Sequence, residues 1–183
     1  MELHFPDSLD ERITHRCMQY WDTHPMFNAW MTVVARWTPV HMVGLIVLVA
    51  VDILPSTVCS SCLRGTAFAA IAGAVMGRIV NEPLSRWVRR PRPFEFLSVS
   101  PLLVHKGGDA FPSNHSTGAF ALAFGCMHIP GYFQVLLGMA VLLSVSRVYT
   151  GLHHFSDVMA GVLHGILMGS VAVWLVTIWH ICG

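Results

Sequence analysis

Residues 112–157 read PSNHSTGAFALAFGCMHIPGYFQVLLGMAVLLSVSRVYTGLHHFSD. The stretch holds two apolar runs back to back, hinged at Ile129-Pro130-Gly131, with its charged and histidine-rich residues near the outer ends. About 20 mostly apolar residues carry a helix across roughly 30 Å of hydrocarbon, and inside a bilayer only helices or closed barrels satisfy their own backbone. The two runs therefore predict antiparallel membrane helices, one from Asn114 to just before Pro130 and one from about Phe133 to Thr150. At about 1.5 Å per residue, His115 lies roughly 22 Å from the turn along one arm and Arg147 roughly 24 Å along the other. They share one depth, and His153, His154 and Asp157, a short loop further on, join them there.

Composition agrees with this hairpin. Of 183 residues 54% are hydrophobic and only 11% are charged, with eleven basic against ten acidic side chains for a net charge of +1. A soluble domain is about 25% charged. The near-neutral balance excludes a basic nucleic-acid footprint, and the ordered apolar runs exclude disorder. Five cysteines, an odd number, do not form a disulfide framework, and Cys59-x-x-Cys62 lacks the second pair that a zinc site needs. The thiols are read as free.

Three further spans are expected: about Thr38 to Leu54, about Gly65 through Val80 toward Trp87, and about Asp157 to Ile181. The fold class is thus all-α, a polytopic transmembrane helix bundle of about five spans in a single domain, 1–183, with 38–183 as its membrane core. Residues 1–37 carry eight charges and one short apolar stretch. They predict interfacial amphipathic helices, with Trp21, Trp30 and Trp37 at headgroup depth. The opening residues have no apolar signal-peptide core, so insertion is expected to rely on the internal spans. Gly161, Gly165 and Gly169 put a small residue at every fourth position of the last span, which predicts close helix packing and says nothing of chemistry.

Residues 93–113 join the second span to the third without a crossing, so the arginines of 86–92 share the face of His115 and Arg147. Three strings meet there: Arg90-Pro91-Arg92-Pro93, Pro112-Ser113-Asn114-His115, and Ser146-Arg147-x5-His153-x3-Asp157. By average residue usage the third alone arises by chance in about one chain in a thousand. Together they resemble the type-2 phosphatidic acid phosphatase (PAP2) superfamily, whose pattern is K-x6-R-P, P-S-G-H and S-R-x5-H-x3-D. Two positions depart from it: Ser85 stands where the pattern has lysine, and Asn114 where it has glycine. The short chain, the PSNHSTG string and the doubled histidine are most similar to the BcrC-type undecaprenyl pyrophosphate phosphatases.

The residue types suit phosphoryl transfer, which is mostly positioning and charge stabilisation. Arg92 and Arg147 offer forked donors to phosphate oxygens, and Ser113 with the backbone N–H groups of Asn114 and His115 at a helix start would add an anion cradle. Ser146 completes the expected phosphate-binding set. Asp157 accepting the Nδ1 proton of His153 would leave Nε2 facing phosphorus, giving a phosphohistidine. His115 would be the acid for the leaving oxygen and then the base for water. The resemblance implies these same roles at the matching positions. Arg86, Arg89 and Lys106 are the candidates for the missing lysine's charge, and His154 either braces the loop or touches substrate. Arg78, inside the second span, is expected to be braced by Glu82 in preference to a proton or substrate role. No metal and no cofactor are called for, because the other histidines are scattered without ligand spacing.

The resemblance implies an integral membrane enzyme that hydrolyses undecaprenyl pyrophosphate to undecaprenyl phosphate and inorganic phosphate, recycling a cell-wall carrier lipid. It implies a site on the outer face of the bacterial plasma membrane, with the polyprenyl pyrophosphate and the membrane lipids as partners. The alternatives are a phosphatase or phosphotransferase for another lipid phosphate, such as phosphatidylglycerophosphate or phosphatidic acid, and a lipid flippase or transporter.

Overall fold

The computed structural model describes residues 8–53, 59–96, 100–105 and 107–178. Lys106, one of the candidate cations, lies outside them. The described chain runs through α1 (Leu9–Trp21), α2 (Pro25–Ala50), α3 (Ser60–Val88), the single turn α4 (Pro93–Phe96), α5 (Asn114–Gly125), α6 (Pro130–Tyr149) and α7 (Phe155–Ile178). The helices α2, α3, α6 and α7 are each long and apolar enough to cross a membrane. The chain is a multi-pass membrane protein.

Ser8 starts α1 by accepting the Glu11 N–H on its Oγ at 3.2 Å, and Asp10 and Glu11 place negative charge at the positive end of the helix. At 13 residues α1 is too short and too charged to cross, as expected of an interfacial helix. The rest of the 1–37 expectation is corrected. Helix α2 begins at Pro25 and continues unbroken through Arg36 and Pro39 to Ala50, so Trp30 and Trp37 sit on a spanning helix. Trp37 is twelve residues, about 18 Å, along it. Arg36 ends the charged stretch that precedes the expected span, but its guanidinium lies 5.9 Å from the Trp37 ring centre, and Pro39, inside the expected span, removes only one ladder hydrogen bond.

Helix α5 is the second departure. Its 12 residues rise about 18 Å, and a turn through Cys126–Ile129 completes the descent. A full-length span is not required there, because α5 is walled by α3, α6 and α7 and most of its residues are buried. The glycine stripe of α7 makes this possible. A Cβ on Gly161 would come within 2.6 Å of the Ser113 carbonyl oxygen and one on Gly169 within 2.8 Å of the Ala121 carbonyl oxygen. Gly73 of α3 meets the Gly169 backbone from the other side. Close backbone approach supplies the van der Waals packing that holds membrane helices together. Met42, Ile46, Leu63, Leu136 and Leu143 fill the core between α2, α3 and α6.

The helices alternate in direction. Tyr149, at the end of α6, donates from its hydroxyl to Asn28 Oδ1 at 2.6 Å, close to the start of α2. The starts of α2, α5 and α7 and the ends of α3 and α6 therefore share one face with α1, and the three strings converge on it.

Candidate functional site

His153 sits in the turn between α6 and α7 with 2% of its surface exposed. Gly151 opens that turn with φ of +76°, a left-handed conformation that costs glycine little. His153 Nδ1 is 2.8 Å from the Ala110 carbonyl oxygen, which can only accept, so Nδ1 carries the proton. Nε2 then holds a lone pair, which accepts from Arg92 Nη1 at 3.1 Å. Burial, then the charges of Arg147 and Arg92, hold the imidazole well below its ordinary titration range. The residue has the form of a neutral nucleophile. The expected Nδ1 partner, however, is corrected: it is a backbone carbonyl and not Asp157. The spacing of four puts two side chains together only on a continuous helix, and residues 151–154 are a turn that precedes α7.

The two arginines of the strings differ. Arg92 donates from Nε to the Gly108 carbonyl at 3.0 Å, from Nη1 to the Leu152 carbonyl at 2.9 Å and from Nη2 to the Asp109 carbonyl at 3.3 Å. It ties the 107–110 loop to the histidine turn. Arg147 is 2% exposed, and its Nε is buried without a hydrogen-bond partner among the described residues. A desolvated guanidinium left open beside a second one is a costly arrangement that an anion would relieve.

At the start of α5, Ser113 is fully buried and its Oγ caps the helix, accepting from Ser116. Asn114 turns its amide oxygen to Asn81 Nδ2 on α3 at 2.9 Å, and Asn81 in turn meets Thr117 Oγ1 and His164 Nδ1. The departure from glycine at 114 is thus a lock between helices. The backbone N–H groups of Asn114 and His115 remain at the helix start, as the cradle requires. His115 is exposed at the head of an apolar groove of about 550 Å³ between α2 and α3.

Asp157 is fully buried and holds the turn from behind, accepting the His154 N–H on Oδ2 at 2.8 Å and Arg90 Nη1 on Oδ1 at 2.7 Å. Arg90 reaches on to Asp10 of α1 at 2.8 Å, and Asp10 also accepts the Ser156 N–H at 2.9 Å. Burial works to raise the Asp10 carboxyl, but the hydrogen bonds from Ser156 and Arg90 outweigh it and leave it below the usual carboxylate range. His154 lies on this side, beside Arg90, Asp157 and Asp10. That position fits the bracing role.

Three candidates are not brought to the site. Ser146 spends its hydroxyl proton on the Leu143 carbonyl of its own helix at 2.6 Å, so it has none to offer a phosphate. Arg86 is exposed and pairs with Glu82 at 2.9 Å, while Arg89 folds its Nε back on the Arg86 carbonyl at 3.0 Å. Four groups that the sequence reading did not assign to the site belong to its frame: Arg90, Asp10, the Ala110 carbonyl, and His105, whose ring lies within electrostatic reach of Arg92 and Arg147. Arg90 was visible in the Arg90-Pro91-Arg92-Pro93 string. A backbone carbonyl and a partner in the first helix leave no spacing signal. Among the described residues no cluster of His, Cys, Asp and Glu could hold a metal ion.

The PAP2 superfamily model matches residues 65–180. Lipid A 1-phosphatase of Rhizobium johnstonii is 38% identical over 98 residues, covering 50% of this chain and 40% of that protein. Undecaprenyl-diphosphatase BcrC of Bacillus subtilis is 30% identical over 105 residues, covering 56% of this chain and 53% of its own. The matched stretch thus spans about half the length of these relatives. The crystal structure of Aquifex aeolicus LpxE superposes with a TM-score of 0.75 at 20% identity, over 95% of this chain and 99% of that one. At that identity the likeness is one of fold.

Proposed function

The chain belongs to the PAP2 superfamily, and from that premise we propose that it is a membrane phosphatase for a lipid pyrophosphate, releasing inorganic phosphate from undecaprenyl pyrophosphate. The observation that carries the reading is the buried Arg147, whose Nε has no partner among the described residues, within electrostatic reach of a neutral His153 whose lone pair is on Nε2. Arg147 takes the oxygens of the terminal phosphate. Nε2 of His153 gives up its contact with Arg92 and attacks phosphorus, the lipid phosphate leaves, and a phosphohistidine remains. His115 protonates the leaving oxygen and then draws a proton from the water that cleaves the N–P bond, which restores His153 and releases phosphate. Arg92, Arg90 and Asp157 keep the turn in place. The scheme uses no metal. The apolar groove beside His115 receives the first isoprene units, and the site faces the outside of the bacterial plasma membrane, where the carrier lipid is recycled.

A relative named lipid A 1-phosphatase supports a second reading, a phosphatase for another lipid phosphate. The test is phosphate release from undecaprenyl pyrophosphate and from a phosphomonoester lipid by wild type and His153→Ala. Loss of turnover by about a thousandfold or more is expected of the variant. Turnover surviving in it would overturn the mechanism, and equal or faster turnover of the monoester would overturn the substrate.

A further inference from the structure

We infer that Arg78 is a substrate-positioning residue that binds the second phosphate of a lipid diphosphate, the one next to the chain, and thereby selects diphosphates over monophosphates. The inference rests on the function proposed above and refines it.

Three observations converge on Arg78. It lines the apolar groove together with His115 and Asn114, and it is the one formally charged residue among the described residues that do so. It stands ten residues, about 15 Å, below the end of α3, where Gly77 beside it packs against Thr117, one turn into α5 from Asn114. The groove thus carries two groups that can meet a phosphate, His115 on α5 and Arg78 on the neighbouring α3. A lipid diphosphate offers two: the terminal phosphate and, across a bridging oxygen, the second one next to the hydrocarbon.

Charge supplies the third observation. Glu82 is 3.4 Å from Arg78 and 2.9 Å from Arg86, so one carboxylate serves two guanidiniums and holds Arg86 the more closely. That face of α3 keeps one positive charge in excess, and 62% of the Arg78 side chain stays open. An unbalanced cation at this depth is expensive in hydrocarbon. The phosphate that departs with the lipid would neutralise it, while a monophosphate bound at Arg147 leaves this position empty. Arg78 also stands seven residues, two helical turns, before Ser85, where the superfamily pattern has its lysine.

The experiment uses the full chain in detergent micelles, with farnesyl diphosphate and farnesyl phosphate as substrates that share one chain. Arg78→Ala is expected to lose about tenfold or more in kcat/KM on the diphosphate, mainly through KM, with the monophosphate changed by less than about threefold. Arg78→Lys should recover most of the loss. Glu82→Gln keeps the cation and should keep the preference, whereas a brace would need both partners of the pair, so a loss in Glu82→Gln matching that in Arg78→Ala overturns the assignment. Equal losses on both substrates in Arg78→Ala overturn it as well. A wild-type enzyme that prefers the monophosphate overturns the substrate reading beneath it, a result separable from the others because it appears before any substitution is made.

Discussion

Arg92 and Arg147 read alike in the sequence, each a string-bound arginine near a histidine, yet their surroundings predict opposite responses. Arg147 is buried and its Nε has no partner among the described residues, so Arg147→Met should raise the thermal midpoint of the substrate-free protein, by an equivalent of about 1–3 kcal/mol, while abolishing phosphate release. Arg92→Met deletes donors to three carbonyls and should lower stability by about 2–4 kcal/mol. Thermal unfolding in detergent checks both, and a midpoint that falls in each variant would sink the distinction. The pH response follows from His153. The fold holds it neutral below its ordinary value near 6.5, so between the two values the unfolded chain binds the extra proton. Its stabilisation is full above about pH 6.5 and is lost as the pH falls below that. The midpoint should drop from pH 7 to pH 5, with a shallower slope in His153→Gln; an unchanged slope in that variant would assign the titration to other groups.

Helix boundaries show where sequence reading succeeds. The apolar runs of α3, α6 and α7 are long, and their spans emerge within a few residues although α3 also carries Arg78, Glu82, Pro83 and Arg86. The start of α2 does not, because the charges of residues 1–37, Arg36 the last of them, set the expected start at Thr38, thirteen residues after the helix begins. The strings likewise assemble the chemistry-bearing side chains, but hydrogen bonding within them depends on backbone paths: Ala110 reaches His153 from 43 positions away, and Asp10 reaches Ser156 across 146. Helix α1, outside the matched family region, accordingly merits a test. Asp10→Asn removes the charge facing Arg90 and should lower kcat/KM about tenfold, near 1.4 kcal/mol, without changing the wild-type substrate preference. Packing along α7 is equally specific. A Cβ on Gly165 would press on the Thr117 carbonyl oxygen, whereas one on Gly138 of α6 meets nothing within 4 Å. Gly165→Ala should cost about 1–3 kcal/mol, and Gly138→Ala should be neutral or stabilising by up to about 1 kcal/mol. Unfolding midpoints that move together would contradict this packing.

At the scale of the molecule, the described helices put the site and the end of α7 on opposite faces, so a reporter fused after Gly183 should be active only in the cytoplasm if the site faces outward. Activity of that reporter outside the cell would reverse the proposed orientation. The groove beside His115 is walled by α2 and α3, and its lining is apolar apart from Arg78, Asn114 and His115. On the function proposed above, a lipid enters such a groove from the side, out of the bilayer. A reactant arriving by that route is counted per lipid molecule and not per litre. Spreading the same substrate through more inert lipid should slow each enzyme in proportion, while changing the volume of water around the membrane should do nothing.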